Sequence, residues 1–198
     1  MAQGFFHVPG VDYFDMFAPI AKLAAIRSVL AMAAAEDLEL HQIDIKGAYL
    51  KGELTGHEVI FMQQPPGYHA PGLAKLVCRL RKTLYGLKQS GRRWYQKLVE
   101  IMLTHLGFSS CDMDQAIFFW RKGQAIIIVL VHVDDCTIAA TSITLIADFK
   151  ARISEHVDIR ACPVTTSQPG PTSQTEDLHP GNGPRSLMEL KQSKTGIQ

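Results

Sequence analysis

Residues 125–140 read AIIIVLVHVDDCTIAA, and the reading of this stretch decides the fold. The run 125–133 is apolar apart from His132 and rich in β-branched residues, as a buried strand requires. Residues 136–140 read as the returning strand of a hairpin, with Asp134 and Asp135 at its turn. A strand that delivers two adjacent carboxylates to a turn creates a conflict. Like charges repel and lose hydration on burial, so such a pair is tolerated where a cation neutralises it or where the turn is wet. Asp-Asp also serves ordinary turn chemistry, so both readings stand.

Working outward, residues 116–120 form a partner strand, joined to the long one through a turn at Lys122-Gly123. The Ala-, Leu- and Met-rich segment 24–36 predicts a helix. Residues 40–45 alternate as a short strand, and 59–62 and 76–80 are further strand candidates. A long amphipathic helix runs from a Ser90 cap to Leu106 with Gly107 as its stop, and Ser142 caps a last helix over 143–156. The order is α+β, without regular β-α alternation. Asp44 stands at the end of the 40–45 strand. Antiparallel pairing would bring it against Asp134, and three carboxylates on one sheet edge suit hard, oxygen-seeking Mg²⁺. Two such ions about 4 Å apart clamp the attacking and leaving oxygens of a phosphoryl transfer. The competing reading of Asp44 is a strand-end residue facing solvent.

The 198 residues are 46% hydrophobic and 20% charged, an ordinary globular mix that excludes a collagen-like repeat, a coiled coil and disorder throughout. Net charge is +1 and selects no partner, but its distribution is uneven. Between Glu58 and Glu100 there is no acid, while Lys75, Arg79, Arg81, Lys82, Lys88, Arg92, Arg93 and Lys97 fall in that window, with Tyr85, Trp94 and Tyr95 interleaved. This fits a phosphate-backbone groove with stacking surfaces. A solvated helix face beside a Lys/Arg-guarded strand edge is the alternative.

Cys78, Cys111, Cys136 and Cys162 form no C-x-x-C pair and no zinc spacing, which points to a reduced, cytoplasmic setting. The first ten residues lack a secretory pattern. The longest apolar run, 125–131, is far shorter than the ~20 residues of a membrane span, so no membrane partner is expected. Residues 161–198 hold five of the ten prolines among Gly, Ser and Thr, and read as a disordered tail with a weak helix at 187–191.

Several ordered blocks resemble one family. They are Phe17-Ala18-Pro19-Ile20-Ala21-Lys22 with Ile26-Arg27, then Gln42-Ile43-Asp44-Ile45-Lys46-Gly47-Ala48-Tyr49-Leu50. Gln64-Pro65-Pro66-Gly67-Tyr68, Leu84-Tyr85-Gly86-Leu87-Lys88-Gln89, Arg93-Trp94-Tyr95 and His132-Val133-Asp134-Asp135 follow. Together they resemble the reverse transcriptase of Ty1/copia-type LTR retrotransposon polyproteins over about residues 12–160.

The resemblance implies a right-hand polymerase-like fingers and partial palm over 12–160, with an antiparallel palm sheet, an N-terminal extension over 1–11 and the tail over 161–198. It implies RNA-directed DNA polymerase chemistry: two-metal transfer of a dNTP to a primer 3′-hydroxyl on an RNA or DNA template. Asp44, Asp134 and Asp135 match the catalytic, metal-binding carboxylates, with two Mg²⁺ (or Mn²⁺) as cofactors. Lys22 and Arg27 match residues that hold the triphosphate, Tyr49 the aromatic gate that rejects a ribose 2′-hydroxyl, and Gln89 a residue of the nucleotide site. Without the resemblance, Tyr49 reads as a core tyrosine. Lys75, Arg79, Lys82, Lys88, Arg92, Arg93 and Lys97 become the nucleic-acid groove. In the intact element such a domain is associated with a virus-like particle. His132 stands where the family usually has Tyr and Gly91 where it usually has Pro, and the likeness fades after about Arg160. A second class of function is therefore carried alongside: a retroelement relic without catalysis, with at most non-specific nucleic-acid binding.

Overall fold

The computed structural model describes residues 2, 4, 7–55, 58–68, 72 and 76–162. The expected tail from residue 163 onward, the helix at 187–191 and Lys75 lie outside these residues. The elements run α1 (Leu23–Ala35), β1 (Glu39–Ile45), α2 (Ala48–Lys51), β2 (Phe61–Gln63), β3 (Val77–Arg79), α3 (Ser90–Glu100) and a π-helical turn (Ile101–His105). They continue with β4 (Ser109–Ser110), β5 (Ile117–Lys122), β6 (Ala125–His132), β7 (Asp135–Ala140), α4 (Ile143–Ser154) and β8 (Ile159–Cys162). The fold is α+β, as its element order implies.

Six strands form one antiparallel sheet in the order β4-β5-β6-β7-β1-β8, and β2 and β3 pair separately. β5 and β6 make a tight hairpin through Gly123, whose φ of 61° suits glycine. β1 slots between β7 and β8, so the end of β1 lies beside the start of β7.

Strand alternation explains the layering. On one face, Ile43, Ile45, Ile127, Val129, Val131, Cys136 and Ile138 pack with Trp94, Leu98, Ile101 and Met102 of the α3 region and Ile146, Phe149 and Ile153 of α4. On the other, Leu130 and Ala139 pack with Val29 and Ala33 of α1. Each fully buried Ile, Leu or Phe contributes about 1.5–3 kcal/mol, so the first face supplies most of the apolar stabilisation.

Several local details differ from the sequence reading. Ser90 does not cap α3: it is the first helical residue, and its Oγ donates to the Leu84 carbonyl at 2.6 Å. The long helix also does not stay α-helical to Leu106. It widens into the π-helical turn, where Leu106 N–H reaches back to the Ile101 carbonyl. Arg152 of α4 donates to the His105 and Leu106 carbonyls there, which satisfies acceptors that a helix end leaves free. Gly107 follows at φ 73° as the stop. Ser142 does cap α4, its Oγ accepting from Leu145 N–H. β8 extends to Cys162, two residues beyond the change in composition. The edges of the sheet, β4 and β8, are short strands with little periodic pattern to reveal them.

Candidate active site

The β6–β7 hairpin turn consists of Val133 and Asp134, since His132 pairs with Asp135. Two-residue hairpin loops need positive φ, normally from Gly or Asn. Here Val133 adopts φ 63° despite its β-branched side chain, an unusual conformation that costs free energy. Trp94, which is 2% exposed, donates its Nε1–H to the Val133 carbonyl at 2.7 Å. The Asp134 carbonyl in turn accepts from Ile45 N–H at 2.8 Å. The turn is thus held from α3 on one side and from β1 on the other.

In the β1–β7 register Asp44 lies opposite Asp135, and in the β1–β8 register it lies opposite Arg160. His132, Asp135, Asp44 and Arg160 therefore form a row across four strands. The row lies on the α1 face, because the alternate residues Ile45 and Cys136 point into the opposite core. The three carboxylates share one end of the sheet, as the sequence suggested, although the direct partner of Asp44 is Asp135 rather than Asp134. Their combined field reaches Cys136 beneath them: burial first, and then Asp135, Asp134 and Asp44, push its thiol up to about 12. Burial and the charge of Asp134 likewise raise the phenols of Tyr49 and Tyr85. Those two rings sit 5.0 Å apart, tilted by 56°.

Tyr49 is held by its own backbone. The Thr83 hydroxyl donates to the Tyr49 carbonyl, and Thr83 is fully buried. Beside the ring is a cavity of about 280 Å³ lined by Tyr49, Lys88, Gly91, Trp94 and Val133, among others. A side chain at Gly91 would meet Ala18 and the Tyr49 ring.

The other expected residues are placed unevenly. Lys22 precedes α1, next to Ala21, whose N–H bonds the Val131 carbonyl at the carboxylate end of the sheet. Its own N–H donates to Asp114 and its Nζ lies 3.5 Å from the Met113 carbonyl. Arg27 is exposed further along α1. Gln89 does not line an open site: it is fully buried, its Nε2 donates to the Asp12 carbonyl, and its Oε1 has no partner among the described residues. It is turned inward at the start of α3.

The basic window divides into two. Arg93 gives Nε–H to Glu58 at 2.6 Å and also holds Gln96 and Thr55. Arg92 pairs with Asp15, and Lys97 with Glu100 at 3.0 Å. The acids that bound the window, Glu58 and Glu100, fold back onto it. Arg79, Lys82 and Lys88 are exposed and carry no ion pair among the described residues. Trp94, expected as a stacking surface, is core instead. Sequence reasoning missed Trp94, Thr83 and Asp114 as organisers; only Trp94 stood in a quoted block.

Among the described residues no three His, Cys, Asp or Glu side chains gather as a ready-made metal cage. No described helix is long and apolar enough to cross a membrane.

A family profile for reverse transcriptase (RNA-dependent DNA polymerase) matches residues 1–168, and the chain belongs to that family. It is 37% identical over 161 residues to the Retrovirus-related Pol polyprotein from transposon TNT 1-94 of Nicotiana tabacum, covering 81% of this chain and 12% of that protein. It is 36% identical over 160 residues to the corresponding polyproteins from transposons RE1 and RE2 of Arabidopsis thaliana, covering 81% of this chain and 11% of each. The copia-type resemblance read from the motifs is therefore sound, and the chain spans about a tenth of the length of these curated relatives. The matched region begins at residue 1 and ends beyond Arg160. No solved structure matches the chain.

Proposed function

We propose that this chain carries the fingers and palm part of an RNA-directed DNA polymerase, adding dNTPs to a primer 3′-hydroxyl on an RNA or DNA template. The observation that carries this reading is the register that sets Asp44 opposite Asp135, beside the turn residue Asp134, in a reverse transcriptase family member. Mg²⁺ needs no complete protein cage, because it takes one or two carboxylates and completes its shell with water and substrate phosphates. The donor set of Asp44, Asp134 and Asp135 fits that demand. When bound there, divalent cations (Mg²⁺ or Mn²⁺) would supply charge neutralisation for the triphosphate and a lowered pKa for the primer hydroxyl.

The chain's own residues do the rest. The turn presents Asp134 and Asp135 at a fixed height because both of its flanks are hydrogen-bonded. Tyr49 and Tyr85 keep neutral phenols beside these carboxylates, and the Tyr49 ring serves as the bulk that excludes a 2′-hydroxyl by clash. Lys22 and Arg27 provide positive charge for the phosphates, which gains strength as pyrophosphate leaves. Arg79, Lys82 and Lys88 meet the nucleic-acid backbone. Arg92, Arg93 and Lys97 stiffen the groove wall, and Gln89 holds the N-terminal segment through the Asp12 carbonyl. Base pairing supplies sequence choice.

Primer extension by the full chain on an RNA template with Mg²⁺ and four dNTPs tests this reading. Extension that disappears in Asp134→Asn/Asp135→Asn supports it. Binding of primer–template without extension would replace it with the inactive-relic reading.

A further inference from the structure

We infer that Trp94 is the positioning residue of the carboxylate turn: its indole N–H clamps Val133 in a backbone conformation that valine otherwise avoids. The inference rests on the polymerase reading for its consequence, but not for its geometry. Val133 sits at φ 63°, where a β-branched residue collides with its own backbone. Such a conformation persists only when the surroundings over-determine it. The surroundings here are two hydrogen bonds that bracket the turn. Trp94 Nε1–H reaches the Val133 carbonyl at 2.7 Å, and Ile45 N–H reaches the Asp134 carbonyl at 2.8 Å.

Trp94 can act in this way because it cannot move. It is 2% exposed and packed among Leu98, Ile101, Val131 and Ile43 in the main core. Behind it, α2 approaches so closely that a Cβ on Gly52 would stand 3.0 Å from Trp94 N and 2.9 Å from Arg93 Cβ. An indole donor fixed this firmly makes a directional restraint on a carbonyl one residue before Asp134. The strand register then transmits the turn's position to Asp135 and, across the sheet, to Asp44. A core role alone would ask only for an aromatic of suitable volume. The N–H adds aim.

The test separates the two roles. Trp94→Phe keeps an aromatic core and removes the donor. Val133→Gly removes the steric objection to positive φ, so the turn no longer needs the clamp. In full-chain primer extension, Trp94→Phe lowers kcat about tenfold, the usual worth of one buried hydrogen bond, with the KM for dNTP nearly unchanged. The double variant Trp94→Phe/Val133→Gly recovers most of that loss. Amide exchange at Ile45, whose N–H is bonded to the Asp134 carbonyl, rises in Trp94→Phe and falls back in the double variant. A Trp94→Phe chain with unchanged kcat and unchanged Ile45 exchange overturns the inference. So does a double variant no better than Trp94→Phe in either measurement. If the unmodified chain extends no primer, the polymerase reading fails, while the Ile45 exchange pattern still decides the clamp.

Discussion

Asp44 and Asp135 face each other as direct cross-strand partners of β1 and β7, two like charges where a sheet would normally place an attractive pair. Like charges in this position destabilise a sheet by roughly 0.2–1 kcal/mol, so the pair is better explained by what it could hold than by what it stabilises. Asp44→Asn is therefore expected to raise stability in urea by up to about 1 kcal/mol while abolishing dNTP incorporation. A variant that loses both stability and activity would mean that Asp44 is a structural strand end.

The acid-free window between Glu58 and Glu100 does not behave as one basic surface. The Glu58 side chain is 7% exposed, and Arg93 Nε is its partner at 2.6 Å. Arg93→Ala leaves that carboxylate buried and unpaired, a loss of roughly 2–4 kcal/mol, with little change in nucleic-acid affinity. Lys88→Ala and Arg79→Ala should leave stability alone, weaken primer–template binding, and each lower the salt slope by about 1. Unfolding curves and salt-dependent binding isotherms distinguish these outcomes.

The contrast shows what was legible in the sequence and what was not. The hairpin carrying Asp134 and Asp135 was readable because β-branched runs and a turn are local signals, whereas α2, β4 and β8 are too short to leave a periodic pattern. The Asp44–Asp135 register depends on how β1 inserts between β7 and β8, which no local pattern encodes. The pairing of Arg92 with Asp15 and of Arg93 with Glu58 joins residues 77 and 35 positions apart, so charge counting along the chain placed these cations on a free surface. Trp94 carried a motif but its hydrogen bond to Val133 spans 39 positions. Val133 itself looked like one more strand residue.

Cys136 gives a test of its burial beneath the carboxylates that requires no activity. Its thiol is pushed up to about 12 in the folded chain, against 9.0 as the ordinary value. A folded pKa above the unfolded one means stability that is complete below pH 9 and lost as pH climbs toward 12, at up to about 1.4 kcal/mol per pH unit. Tyr49, Tyr85 and Tyr95, also raised, act with the same sign above pH 10. Unfolding free energies should therefore fall between pH 9 and 10, and Cys136→Ala should flatten that fall. An unchanged slope would contradict the burial of the thiol beneath the carboxylates.

Gly52 separates conformational from steric effects. Its φ of −68° and ψ of 132° are open to any residue, so alanine would gain about 0.4–1 kcal/mol through the unfolded chain alone. The added Cβ would stand 2.7 Å from Thr83 Oγ1 and 3.0 Å from Trp94 N. Overpacking of about 1–3 kcal/mol should win, giving a net loss of stability in Gly52→Ala. Thermal unfolding checks the sign.

Asp44, Asp134 and Asp135 are proposed to form one divalent-cation site at the end of the sheet. Mn²⁺ titration into the full chain with dNTP and primer–template, followed by paramagnetic broadening of backbone amides, tests it most directly. Amides of Asp44, Asp134 and Asp135 are expected to broaden first, and Asp44→Asn to weaken the effect greatly. Broadening centred elsewhere, or equal in Asp44→Asn, would contradict it.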